Sequence, residues 1–108
     1  MLHGLERVLP AADALMLLRV QNERASGDDL PPFEDLARFY GLTRRRVELL
    51  PQHAIIMHPG PVNRDVEIEA ELLRHERSRI ERQVENGVYV RMAVLERTVG
   101  ALTRDRVA

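Results

Sequence analysis

Two short apolar runs limit what this chain can fold into. Ala14-Leu15-Met16-Leu17-Leu18 lies between Pro10 and a polar loop, and Ala54-Ile55-Ile56-Met57 runs straight into His58-Pro59-Gly60-Pro61. Runs this short, without polar alternation, suit strands buried on both faces of a parallel sheet. The β-branched pair Ile55-Ile56 makes the second strand the clearer one. Between the runs, residues 21–31 are polar and read as an exposed loop. Pro32 fits the first turn of a helix reaching Tyr40, with Leu36, Phe39 and Tyr40 on one side and Gly41 as its stop. Thr43 can cap a second helix over 44–50, closed by Pro51. Two strands joined by helices make a βαβ unit with a right-handed crossover.

Residues 2–9 can form a short helix ended by Pro10. Near the other end, residues 77–86 read as a polar amphipathic helix with Ile80 and Val84 on one face, and Asn86-Gly87 as its break. A longer helix follows, in which Val88, Met92, Leu95, Val99 and Leu102 recur at spacings of four and three, a helical stripe. A parallel sheet normally has more than two strands and helices on both faces. The expected fold class is therefore α/β, an incomplete piece of a parallel-sheet domain plus C-terminal helices.

A length of 108 residues allows one small domain. With 4% aromatic residues and no Trp, the core must be built from Leu, Val, Ile, Met and Ala. The net charge of -1 offers no field to attract nucleic acid or an anionic membrane. The chain has neither Lys nor Cys, so Schiff-base chemistry, disulfides, thiol catalysis and Cys-based zinc sites are excluded on it. That composition suits the cytoplasm. The N-terminus lacks a signal-peptide pattern, and no apolar run approaches the roughly 20 residues of a membrane span.

Three constellations carry potential chemistry. Arg19 and Gln21 are two apart after the first strand and project the same way in extended chain. A guanidinium beside an amide suits a carboxylate-bearing ligand, and the alternative is a salt-bridged Arg at a sheet edge. His58-Pro59-Gly60-Pro61 ends the second strand, where open α/β sheets bind ligands. Its prolines fix the backbone, and Gly60 lets a ligand approach the carbonyls closely. The alternative is a stiff turn, and His58 has no partner in sequence that would make it a general base. Arg44, Arg45 and Arg46 read as a solvated helix face rather than a phosphate patch. His3, His53 and His75 have no metal-ligand spacing.

Leu15-Met16-Leu17-Leu18-Arg19-Val20-Gln21-Asn22-Glu23-Arg24 resembles the aspartate-binding strand and loop of aspartate carbamoyltransferases, in the aspartate/ornithine carbamoyltransferase family. The segment from His53 to Arg64 resembles the family's H-P-x-P loop, and Asn86-Gly87-Val88-Tyr89-Val90-Arg91-Met92-Ala93-Val94-Leu95 its C-terminal helix. Tyr40-Gly41-Leu42-Thr43 matches many bacterial members. The segments occur in family order over essentially the whole chain. The resemblance implies that Arg19 binds the aspartate carboxylate with Gln21 beside it. It also implies that the backbone at Pro59, Gly60 and Pro61 holds the carbamoyl group of carbamoyl phosphate. Ornithine enzymes carry a Cys in that loop, so Pro59 favours aspartate. Asp65 departs from the Gly of many relatives and adds a charge near the loop.

The implied reaction transfers a carbamoyl group from carbamoyl phosphate to the aspartate amine, in pyrimidine biosynthesis. It gives N-carbamoyl-aspartate and phosphate and needs no metal or organic cofactor. The implied assembly is a homotrimer, with or without regulatory chains. Residues 1–86 would be part of the aspartate/ornithine-binding domain, and residues 87–108 a helix that packs on the carbamoyl phosphate domain. The family's S-T-R-T-R segment and its active-site Lys, donated by a neighbouring subunit, are not in these residues. The 108 residues alone are thus expected to be inactive, and with the C-terminal stripe uncovered they are expected to self-associate through that helix or else to be only partly folded. Two other readings compete: a non-catalytic interaction module derived from the family, and a small anion-binding protein using Arg19 with Arg44, Arg45 and Arg46. An upstream reading frame encoding S-T-R-T-R separates the first reading from these.

Overall fold

A computed structural model describes residues 4–20 and 33–105. The first helix, α1, is Leu5–Val8, and it continues as a 3-10 turn over Leu9–Ala11. Pro10 lies in the first turn of that 3-10 segment, where its missing N–H has no helical partner to lose. Strands β1 (Ala14–Met16) and β2 (Ile55–Met57) pair in parallel, with Ala14 opposite Ile55 and Met16 opposite Met57. One more bond past β1, from Leu17 N–H to the Met57 carbonyl at 2.9 Å, keeps the two strand ends together. The parallel pair is as the sequence indicates.

The expectation that β1 is buried on both faces is not met. Met16 is 48% exposed and Leu18 68% exposed, while Leu17 is buried. Among the described residues the sheet has these two strands, and no layer covers the outward side chains of β1. The other edge of β2 is lined by residues 77–79. Ile56 N–H donates to the Arg77 carbonyl at 3.0 Å, and Arg79 N–H donates to the Ile56 carbonyl at 2.8 Å. These residues were expected to open a helix. Instead their backbone groups pair with β2, and α4 starts at Ile80.

Helix α2 is Phe33–Tyr40, and α3 is Arg44–Val47. Gly41 ends α2 as expected, and the packing explains why it is glycine. A Cβ there would lie 2.5 Å from the Ala37 carbonyl oxygen and 2.7 Å from that of Val66, too close for any other residue without moving backbone. Thr43 caps α3 through its hydroxyl, which accepts from Arg46 N–H at 3.3 Å. The helix is shorter than 44–50. Leu49 and Leu50 donate to the carbonyls of Arg46 and Val47, three residues back, so the last turn tightens out of the α pattern.

Two arginines close these helices. The Arg46 guanidinium donates to the carbonyls of Arg38, Phe39 and Gly41 at the end of α2, and to Glu6 of α1. Arg77 donates to the carbonyls of Val47, Leu50 and Pro51 past α3. Cations suit helix C-termini because the terminal carbonyls there lack intrahelical donors. Arg46 is therefore buried, which corrects its reading as part of a solvated face, while Arg44 and Arg45 are exposed. The core is aliphatic as expected: Leu9, Leu17, Leu42, Val47, Leu50, Ala54, Ile56, Ile68, Leu72 and Ile80.

After a 3-10 segment over Ala70–Arg74, helix α4 runs unbroken from Ile80 to Asp105. The expected break at Asn86-Gly87 does not occur. An interior glycine costs a helix only about 1 kcal/mol relative to Ala, and no proline accompanies it. The first turns of α4 sit on the body, with Ile80 buried. From Val88 to Val99 every residue is exposed, including Val88, Met92 and Leu95 of the expected stripe. Tyr89, Val90 and Val94 add apolar surface on other sides of the helix. No helix among the described residues is long and apolar enough to cross a membrane.

Candidate functional site

Parallel pairing puts the C-terminal ends of β1 and β2 side by side. The chain leaving β1 carries Arg19, and the chain leaving β2 carries Pro59, Gly60 and Pro61. Arg19 is half-buried, Pro59 and Pro61 are exposed, and Gly60 is intermediate. Gln21 lies outside the described residues, as do Asn22, Glu23 and Arg24.

The loop after β2 is fixed from both sides. His58 N–H donates to the Gln83 side-chain oxygen on α4 at 3.0 Å. The His58 ring is fully buried, and its Nδ1 accepts from Gly60 N–H at 2.9 Å. Gly60 has φ 71, a left-handed conformation that favours glycine, and the Gly60-Pro61 peptide is cis. A Cβ on Gly60 would meet Val84 of α4 at an ordinary 3.4 Å, so the requirement for glycine there is conformational rather than spatial. With Nδ1 occupied by a donor, the neutral ring carries its proton on Nε2, which faces Glu67 Oε2 at 3.9 Å. Burial lowers the His58 pKa, opposed by the Glu67 charge. A ring buried in this way holds the loop and does not reach a substrate as a base.

Glu67 is the residue that sequence reading missed. Its carboxylate accepts from Val20 N–H at 2.8 Å, Asn63 N–H at 2.7 Å and the Asn63 amide at 2.8 Å. The Asn63 amide also donates to the Val20 carbonyl at 3.1 Å. The residue next to Arg19 is thus tied to the segment that follows the Pro59-Gly60-Pro61 loop. Nothing in local sequence flags Glu67, because its partner Val20 is 47 residues away.

Asp65, flagged as a departure, adopts φ 62. A short polar side chain is among the few that tolerate this region, and Asp65 Oδ1 accepts from Ala70 N–H at 2.9 Å, which steadies the turn. The remaining basic residues do not gather at the site. Arg44 pairs with Glu71 at 3.8 Å, both exposed. His53 pairs with Asp13 at 2.7 Å, before the strands begin. His3 lies outside the described residues.

Residues 1–98 match the family described as aspartate/ornithine carbamoyltransferase, Asp/Orn binding domain. The chain is 53% identical over 98 residues to the aspartate carbamoyltransferase catalytic subunit of Acidothermus cellulolyticus, covering 91% of this chain and 30% of that protein. It is 49% identical over 102 residues to the same subunit of Salinispora tropica, covering 94% of this chain and 33% of that protein. The chain therefore spans about a third of the length of these relatives. Its fold is similar to that of aspartate transcarbamoylase from Trypanosoma cruzi in complex with carbamoyl aspartate and phosphate. That match has a TM-score of 0.71 at 28% identity, over 87% of this chain and 28% of that one. The same enzyme in complex with N-(phosphonacetyl)-L-aspartic acid gives a TM-score of 0.70 at 30% identity, over 83% of this chain and 27% of that one.

Proposed function

The chain belongs to the aspartate/ornithine carbamoyltransferase family, and on that premise we propose that it is the aspartate-side part of an aspartate carbamoyltransferase catalytic chain. The observation that supports this is the parallel pairing of β1 and β2, which brings the strand end before Arg19 and the strand end before the Pro59-Gly60-Pro61 loop to the same end of the sheet. In this reading Arg19 binds a carboxylate of L-aspartate with two directed hydrogen bonds, and Gln21 adds a donor and an acceptor. The carbonyls of Pro59, Gly60 and Pro61 accept from the carbamoyl NH₂ of carbamoyl phosphate. The neutral aspartate amine then attacks the carbamoyl carbon and a C–N bond forms. The C–O bond to phosphate breaks with its electrons on the phosphate oxygen, and the proton lost by the amine goes to the departing phosphate. These residues supply alignment rather than proton transfer, since holding two reactants in register removes much of an entropic barrier.

Residues 1–86 would form part of the aspartate-binding domain. Residues 87–108 would pack on a carbamoyl phosphate domain, which gives the bare end of α4 its burial. Phosphate binding and the Lys would come from that domain and from a neighbouring subunit of a homotrimer, with or without regulatory chains. The setting would be pyrimidine biosynthesis in the cytoplasm.

A carbamoyltransferase assay tests this. The full-length protein that carries this segment is expected to form N-carbamoyl-aspartate from L-aspartate and carbamoyl phosphate, and to leave ornithine unreacted. The 108 residues alone are expected to form none. Turnover of ornithine by the full-length protein, or no turnover of either amine, would overturn the proposal.

A further inference from the structure

We propose that Glu67 is a positioning residue that sets the Arg19-Val20 segment against the Pro59-Gly60-Pro61 loop; this rests on the aspartate and carbamoyl roles given above. The Glu67 side chain is 4% exposed. Its Oε1 accepts from Val20 N–H at 2.8 Å and from Asn63 Nδ2 at 2.8 Å, and its Oε2 from Asn63 N–H at 2.7 Å. Asn63 Nδ2 donates again, to the Val20 carbonyl at 3.1 Å.

Both polar groups of Val20 are therefore held by side chains from beyond the carbamoyl loop. The Val20 N–H belongs to the peptide shared with Arg19, and its carbonyl to the peptide shared with Gln21. Fixing these peptides sets the direction in which Arg19 leaves the backbone. The anchor itself is rigid, because Asn63 lies two residues past Pro61 and His58 locks Gly60.

A carboxylate buried this deeply is costly unless its oxygens are hydrogen-bonded. Here each acceptor position serves the junction between the two loops. His58 Nε2–H faces the same carboxylate at 3.9 Å, so the carbamoyl loop approaches Glu67 from a second direction. The two substrate contacts then move as one unit, which is the condition for placing an amine on a carbamoyl carbon. A misplacement of about 1 Å costs such reactions up to roughly a hundredfold.

Kinetics of the full-length protein with L-aspartate and carbamoyl phosphate test this. Glu67→Gln keeps the shape but puts an NH₂ donor where N–H groups now find acceptors. Asn63→Ala removes the two amide bonds and leaves Glu67 in place. Both variants are expected to raise the aspartate KM roughly ten- to hundredfold and to leave the carbamoyl phosphate KM unchanged. The double variant Arg19→Ala/Glu67→Gln is expected to be no worse for aspartate than Arg19→Ala alone, because Glu67 acts through Arg19. If Glu67→Gln does not fold, Asn63→Ala decides alone. An unchanged aspartate KM in a folded variant, or additive losses in the double variant, would overturn the positioning role while Arg19→Ala still raises that KM. An unchanged aspartate KM in Arg19→Ala would overturn the aspartate assignment itself.

Discussion

His58 is fully buried, and its pKa is lowered mainly by that burial. The unfolded chain then takes up a proton more readily than the folded one. The His58 contribution is intact above the ordinary value of 6.5 and is lost as pH falls below it toward the folded-state value. Urea unfolding of the full-length protein at pH 7.5 and 5.5 is expected to show lower stability at 5.5, and His58→Gln to flatten that difference. An equal pH dependence in His58→Gln would contradict the burial argument. Glu6 does not confuse this window. Its own backbone N–H and then Arg46 hold its carboxyl below 4.5, so its contribution is lost only at more acid pH. Legibility also divides at this scale. Gly41 stands out in sequence because a helix end is a local signal, and Gly60 because it sits between two prolines, whereas Asp65 stands out only against the family resemblance. Glu67 and Arg46 do not, because Val20 and Glu6, which they hold, are 47 and 40 residues away. A buried Glu or Arg looks in sequence like any surface one.

The strands were legible as elements because an apolar run bounded by proline has few other uses. Their burial was not, since exposure of Met16 and Leu18 depends on what lies beside β1 rather than on β1 itself. Residues 77–79 misled for a related reason. Their polar character fits a helix start, but their backbone completes the free edge of β2. Asn86-Gly87 is a turn signal in sequence, yet the helix that follows runs through it. In α4 the glycine is carried by the residues around it. A Cβ on Gly87 would meet only the flexible end of Arg91, at 3.1 Å. Gly87→Ala should therefore stabilise the helix by about 0.5–1 kcal/mol, visible as a higher urea midpoint for the full-length protein. A lower midpoint would mean that Gly87 meets a closer neighbour than Arg91.

The described chain is extended for its size. Its radius of gyration is 18.1 Å, against about 13 Å for a compact domain of 100 residues. The difference lies in α4, whose residues from Val88 onward leave the body and stay exposed through Val99. An apolar surface of this kind is rarely bare in a soluble monomer. Burying each of Val88, Met92 and Leu95 contributes about 1.5–3 kcal/mol. The 108 residues alone are therefore expected to sediment as an oligomer at micromolar concentration, and Leu95→Glu to shift them toward monomer. A folded monomer indifferent to Leu95→Glu would show that α4 needs no cover. In the proposed function the two strand ends hold the two substrates of one reaction. The most direct measurement is calorimetric titration of the full-length protein with N-(phosphonacetyl)-L-aspartic acid, which joins a carbamoyl phosphate-like group to aspartate in one molecule. The wild type is expected to bind it, and Arg19→Ala to bind it roughly ten- to hundredfold more weakly, the loss of one charge-assisted bidentate contact. Equal affinity in both proteins, or no binding by the wild type, would contradict the account.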